Sequence, residues 1–185
     1  SMRDLQWNNF YDPLTGTLHA NWGCGFFSNC CTALWAITDL ASEGIAPKLV
    51  VMDNGWDFFC DRKKMPDFDL YPILFDIRAS AGPVSCYAIP RVNQHRRYAL
   101  NKLELLVPFL EHWFTPSKEV QHISLRLKAK YKINLEQTIA VVYRGTDKYT
   151  EVQVSDVQSY LDLARHLLKK HSDHRLVIQT DQLQV

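Results

Sequence analysis

The sequence predicts an α/β fold, and three observations carry that prediction. An apolar helical segment beginning at Cys24 runs into a short apolar stretch, Lys48 to Met52 (KLVVM). Later, a second apolar stretch, a polar loop, a helix with one apolar stripe and a third short stretch follow in βαβ order. The 185 residues also carry 46% hydrophobic and 12% aromatic side chains at a formal net charge of +1, which supplies a core and excludes a disordered chain. Strands alternating with helices imply a parallel sheet with right-handed crossovers.

Element by element, residues 1 to 22 are aromatic, turn-rich and aperiodic, with Asp12-Pro13 and Thr15-Gly16 as breakers, and predict a lead-in with one short strand. From Cys24 to Ala41 apolar residues (Phe26, Phe27, Cys30, Cys31, Leu34, Trp35, Ile37, Leu40) lie on nearly every side, the mark of a buried helix, closed by Gly44. Lys48 to Met52 predicts a fully buried strand ending in the Asp53-Asn54-Gly55 turn. Residues 53 to 80 read as loop, broken by Pro66 and Pro72, and Val84 to Ile89 as a second strand. Tyr98 to Trp113 has helical spacing at Leu103, Leu106, Leu110 and Trp113, with Pro108 expected to kink or split it.

Thr115-Pro116-Ser117 opens a further helix with Val120, Ile123 and Leu127 on one face. Thr138 to Tyr143 (TIAVVY) predicts a buried strand, and Ser155-x-x-Gln158 a capping box. The capped helix places Val157, Leu161, Ala164 and Leu168 on one stripe and ends in Lys169, Lys170 and His171, which suit the negative end of its dipole. Arg175 to Gln179 is the closing strand. Two α/β pieces are expected, residues 1–115 and 116–185, with the boundary near residues 114 to 137.

Composition narrows the partners. Nucleic-acid binders carry a basic excess that this chain lacks; Arg96-Arg97 and Lys169-Lys170 read as solvated positions. No uncharged apolar run reaches about 18 residues, so no membrane segment is expected, and no signal peptide is read at the start. Five cysteines (Cys24, Cys30, Cys31, Cys60, Cys86), an odd number, favour reduced thiols in a cytoplasmic setting, with one free thiol beside two disulfides as the alternative, and the lack of a CxxC pair speaks against a structural zinc site.

Ligands of open α/β sheets bind beyond the carboxyl ends of the strands. The segment leaving TIAVVY is Arg144-Gly145-Thr146-Asp147-Lys148-Tyr149-Thr150-Glu151. Arg144 offers a planar fork to phosphate oxygens, Gly145 permits close backbone approach, Thr146 can donate a hydrogen bond, and Lys148 adds a second cation. Asp147 could hold Arg144 or Lys148 by an ion pair, and Glu151 could accept a proton. The plain alternative is a solvated charged loop.

This segment, VVYRGTDKYTE, resembles the arginine-threonine-aspartate-lysine motif that follows a strand in the donor lobe of α-1,6-fucosyltransferases, the enzymes of core N-glycan and Nod-factor fucosylation. Three further passages match in the same order: Gly23-Cys24-Gly25-Phe26 with the helix and strand that follow, Phe114 to Ser117 before a helix and strand, and Leu176 to Asp181 (LVIQTD), similar to that family's strand ending in threonine-aspartate. The resemblance covers residues 20 to 181.

It implies a GT-B-like architecture, with a Rossmann-type first lobe and the first part of a second, donor-binding Rossmann-type lobe. It also implies GDP-fucose or a related GDP-sugar as donor substrate, a glycan acceptor, inverting transfer, no cofactor and no obligatory metal. On that resemblance Arg144 holds the donor's pyrophosphate and stabilises the leaving GDP, Lys148 lies near it, and Asp181 joins the substrate-binding set. Glu151, matched across a one-residue gap, is the general base. The family's second arginine is Gly145 here, and the histidine two positions before its first arginine is Val142, so a catalytically inactive binding or interaction domain of the same fold is the alternative. Under the resemblance the second lobe is expected to be incomplete at Val185, and a Golgi lumen location becomes the alternative to the cytoplasm if a membrane anchor was removed.

Other candidate sites read more simply. Asp67-Phe68-Asp69 has the D-x-D pattern of metal-dependent transferases but follows Lys-Lys-Met-Pro rather than a strand, and is expected to be a surface loop. Cys24 near a helix start, with His112 or His122, would suit a cysteine hydrolase; inert core cysteines are the expectation. His171, Asp173 and His174 are expected to form a polar turn.

Overall fold

The computed structural model describes residues 2–5, 9–20, 25–52, 68–76, 78, 81–84, 103–145, 153 and 155–182. The chain is mixed α/β and divides into two compact units, Ser1–His122 and Ile123–Val185. Three short strands, β1 (Arg3–Asp4), β2 (Phe10–Asp12) and β3 (Thr17–His19), form the start of the first unit, where the sequence predicted one. They were hidden because two or three residues are too few to show a period. The Asp12-Pro13 breaker turns the chain between β2 and β3. Asp12 accepts hydrogen bonds from the Leu14 N–H and the Thr15 hydroxyl, which hold its carboxyl below the usual range, and Gly16 closes the turn at φ 72°.

Helix α1 (Phe26–Ala41) then crosses to β4 (Leu49–Val51), which pairs in parallel with β3 through Thr17↔Leu49, Leu18↔Val50 and His19↔Val51. β1 and β2 continue the sheet antiparallel, giving the order β1-β2-β3-β4. Gly44, at φ 77°, ends the helical run: its N–H reaches the Ala41 carbonyl while Ile45 N–H reaches Leu40, a Schellman closure that needs a left-handed residue. The strand expected to be fully buried is only partly so. Val50 and Met52 are buried, but Leu49 faces outward at its start.

α1 is buried as predicted from Thr32 to Ala41, but Phe27 in its first turn is exposed; its two threonines bond locally. The Thr32 and Thr38 hydroxyls donate to the carbonyls of Asn29 and Trp35, and Asn9 donates to the Thr32 carbonyl. The core packs Trp35, Ile37 and Leu40 with Leu18, Val50 and Met52, and is closed by Tyr71 and by Leu106, Phe109 and Trp113.

Within the stretch expected to be loop, α2 (Tyr71–Leu74) forms one helical turn with Pro72 near its start, where a missing N–H costs nothing. Val84 is exposed, and the rest of the strand expected at Val84 to Ile89 lies outside the described residues. α3 (Leu103–Trp113) runs unbroken through Pro108, contrary to a split. Pro108 is exposed, and the buried residues Leu106, Phe109 and Trp113 hold the helix to the core on either side of it. α4 (Lys118–Lys130) begins as predicted, with the Ser117 hydroxyl accepting the Val120 N–H. Its predicted apolar face is not buried: Ile123 and Leu127 are exposed, as is Leu125.

In the second unit, a 3-10 turn (Leu135–Gln137) leads into β5 (Thr138–Tyr143), α5 (Val157–Lys170) and β6 (Arg175–Thr180). β5 and β6 pair in parallel in the register Thr138↔Arg175 to Tyr143↔Thr180, the βαβ order the sequence predicted. Two corrections apply. β5 is not buried: Ala140 and Val142 are exposed on one side while Ile139, Val141 and Tyr143 are half-buried on the other, where Tyr143 meets Tyr160 of α5 edge-on at 5.3 Å. Among the described residues of this unit, Ala164 is the one hydrophobic side chain fully buried.

The second correction concerns the cap of α5. It is Asp156, not Ser155: Asp156 Oδ1 accepts the Ser159 N–H at 2.9 Å, and Gln158 turns along the helix to Asp162 instead. A carboxylate beside the positive helix end wins over a hydroxyl one residue earlier.

Lys132 holds φ 51°, the left-handed position that follows α4, where the Ile133 N–H returns to the Lys128 carbonyl. A side chain there is strained, so Lys132→Gly should gain up to about 1 kcal/mol. Urea denaturation followed through the transition of the second unit would show a raised midpoint; a lowered one would contradict the strain.

Candidate functional site

The candidate site lies where β5 and β6 end side by side. Because the two strands are parallel and in register, Tyr143 pairs with Thr180, and the residues that follow each strand leave from the same edge. Arg144 and Gly145 leave β5; Asp181 and Gln182 leave β6. Asp181 Oδ1 accepts the Gly145 N–H at 2.9 Å, and the Gln182 N–H donates to the Thr180 hydroxyl at 3.0 Å. Of the residues singled out in the sequence, Arg144, Gly145 and Asp181 are thus brought together. Thr146, Asp147, Lys148 and Glu151 lie outside the described residues.

Gly145 is set apart here by close neighbours rather than by its dihedral angle, and those neighbours are side-chain ends that a Cβ would displace. A Cβ on it would stand 2.6 Å from Gln182 Cδ and 2.8 Å from Tyr143 Cε1, so the Gln182 amide lies directly over the glycine. Sequence reasoning did not single out Gln182 or Tyr143. The signal for Gln182 was its position next to Asp181, but only the strand register shows that it folds back over Gly145.

The strand end therefore combines three chemistries: the exposed Arg144 guanidinium, the exposed Asp181 carboxylate and the half-buried Gln182 amide. The guanidinium can take a phosphate or carboxylate in two parallel hydrogen bonds. Asp181, with one oxygen on Gly145, can accept from a hydroxyl but repels an anion. No protein-family model, curated protein or solved structure matches the chain.

The other candidates have structural roles or fall outside the described residues. Asp69 of the D-x-D triplet accepts the N–H groups of Met52 at 2.9 Å and Tyr71 at 3.0 Å, joining the end of β4 to the start of α2; Asp67 lies outside the described residues. Cys24 does too. Neither Cys30 nor Cys31 is in a disulfide, and burial pushes Cys30 up to about 12, so it stays protonated and unreactive at neutral pH. His122 is exposed on α4, while His112 is buried beside Trp113.

His171, Asp173 and His174 form the polar turn after α5. His174 Nδ1 lies 2.9 Å from Asp173 Oδ1, and that contact holds the Asp173 carboxyl below its ordinary range. Among the described residues no group of three or more histidine, cysteine, aspartate or glutamate side chains could hold a metal ion, and no helix is long and apolar enough to cross a membrane.

Asp181→Ala should raise hydrogen exchange at the Gly145 amide while costing under about 1 kcal/mol, because the lost bond is exposed. Unchanged exchange at Gly145 would remove the link between the two strand ends.

Proposed function

We propose that the chain is a fucosyltransferase-like glycosyltransferase with a GT-B-like arrangement of Rossmann-type lobes. It would take a sugar from a GDP-sugar, GDP-fucose foremost, and transfer it with inversion to a glycan hydroxyl. The observation that carries this reading is that Arg144 and Asp181 each follow directly on one of two adjacent parallel strands, at the same carboxyl edge, where Asp181 accepts the N–H of Gly145. That edge is where open α/β sheets take ligands. A sugar nucleotide has the two features such an edge recognises, a pyrophosphate for the guanidinium and hydroxyls for the carboxylate.

In this reading Arg144 and Lys148 hold the pyrophosphate, with Thr146 donating a hydrogen bond to it and Asp147 steadying the cations. The acceptor oxygen attacks the anomeric carbon, the bond from that carbon to the GDP oxygen breaks, and GDP leaves with the electron pair. Glu151 takes the proton of the acceptor hydroxyl. No metal is needed for that balance, because the two cations meet the charge that develops on the leaving group.

One observation favours a second reading, an inactive sugar-nucleotide-binding or interaction domain of the same fold. Gly145 stands where the resembled enzymes have their second arginine, and the space above it is filled by Gln182. A site with one phosphate fork would bind a donor without activating it.

Calorimetry with GDP and GDP-fucose separates the readings. Wild type should bind both, and Arg144→Ala should weaken GDP by about 10-fold or more, the loss expected for a charge-assisted hydrogen bond. Equal binding by the variant, or none by wild type, would sink the donor site. Binding without sugar transfer or donor hydrolysis would select the inactive domain.

A further inference from the structure

We propose that His112 makes the joint between residues 71–78 and 113–117 acid-sensitive, so that protonation of its ring opens the joint and frees the start of α4. The joint is a series of hydrogen bonds between α2 with the residues that follow it and the end of α3 with its link to α4. Tyr71 donates its hydroxyl to the Trp113 carbonyl, the Ser117 N–H and hydroxyl donate to the Leu74 and Ile73 carbonyls at 2.8 Å each, and the Asp76 N–H donates to Thr115 at 2.9 Å. Arg78 Nη2 donates to the Thr115 hydroxyl at 3.2 Å, and Phe75 and Pro116 form a single β-bridge. Ser117 is shared: the hydroxyl that donates to Ile73 also caps α4.

His112 lies just before this joint, 8% exposed, its ring edge-on to Trp113 with centroids 4.7 Å apart. Its Nε2 has no hydrogen-bond partner among the described residues, nor has the neighbouring Trp113 Nε1. Gly82 closes over the indole edge so tightly that a Cβ there would stand 2.8 Å from Trp113 Cζ2. A neutral imidazole tolerates this place. An imidazolium has two N–H donors and a charge, and needs acceptors or water.

The ionisable groups around the ring do not supply them. From residues 71–78 the charged group acting on His112 is Arg78, a cation. Asp76 and Tyr71 belong to the same passage, Cys30 to α1, and Glu104 and Glu111 are exposed on α3 itself; none bonds to the ring among the described residues. Burial, and then Arg78, hold His112 below the ordinary histidine range. A folded-state value below the unfolded one means that the unfolded chain binds the proton more readily. The stability from neutral His112 is therefore complete above the ordinary histidine value and is lost as pH falls through the folded one. Two adjacent cations relieve their repulsion when Arg78 leaves Thr115, which removes one side of the joint.

Hydrogen exchange and histidine NMR on the full chain, from pH 8 to about pH 4.5, a range that brackets histidine titration, test this. His112 should titrate below the ordinary histidine value, and protection of the Asp76 and Ser117 amides should fall along the same curve. In His112→Gln that protection should persist across the range. His112 titrating at or above the ordinary histidine value, or protection unchanged as it ionises, would overturn the proposal. If His112→Gln does not fold, Arg78→Gln serves: removing the cation should move the His112 titration upward, and an unmoved titration would equally overturn it.

Discussion

The first unit depends on the need to cover α1 on all sides. A helix with Trp35, Ile37, Leu40 and a run of alanines distributed around it cannot lie on a surface, so something must pack on each face. The sheet supplies one face through Leu18, Val50 and Met52, and α3 with Tyr71 supplies another through Leu106, Phe109 and Trp113. This is why very short strands suffice in the first sheet: they are held as much by the helix they cover as by their own ladders. It is also why Pro108 does not divide α3, since buried residues on both sides of it are required by α1.

The second unit is organised by backbone pairing instead. With Ala164 as its one fully buried hydrophobic side chain among the described residues, it draws its order from the β5–β6 ladder, the aspartate cap of α5 and the contact of Tyr143 with Tyr160. Parallel sheets usually have both faces covered, and here Ala140 and Val142 leave one side of β5 open. The arrangement suits a site made of strand ends, because register alone brings Arg144, Gly145 and Asp181 to one edge.

Legibility in the sequence followed the length of the pattern. α1, α4, α5 and the β5–α5–β6 order were readable because many residues repeat one period. β1 to β3 were foreseen only as one short strand, since no period can be seen in two or three residues; of their pairings, only that of β3 with β4 joins partners distant in sequence. Burial was misread for β5 and the α4 face: an apolar run states a preference for cover, but the cover must come from another element. The cap of α5 was misplaced by one residue because Ser155 and Asp156 are both good caps, and geometry decided between them. At the site, chemistry was legible in Arg144 and Asp181, whereas the hydrogen bond joining Gly145 to Asp181 and the cover of Gln182 required the register.

That bond between Gly145 and Asp181 couples two chain segments 36 positions apart. A molecule that draws the Asp181 carboxylate away from the Gly145 amide changes the energy of the backbone that carries Arg144. Linkage makes the effect mutual: whatever repositions Arg144 alters the affinity of Asp181 for its own partner by the same factor. The two recognition elements would then not contribute independently, and their joint effect on affinity would be set by the one amide proton they share.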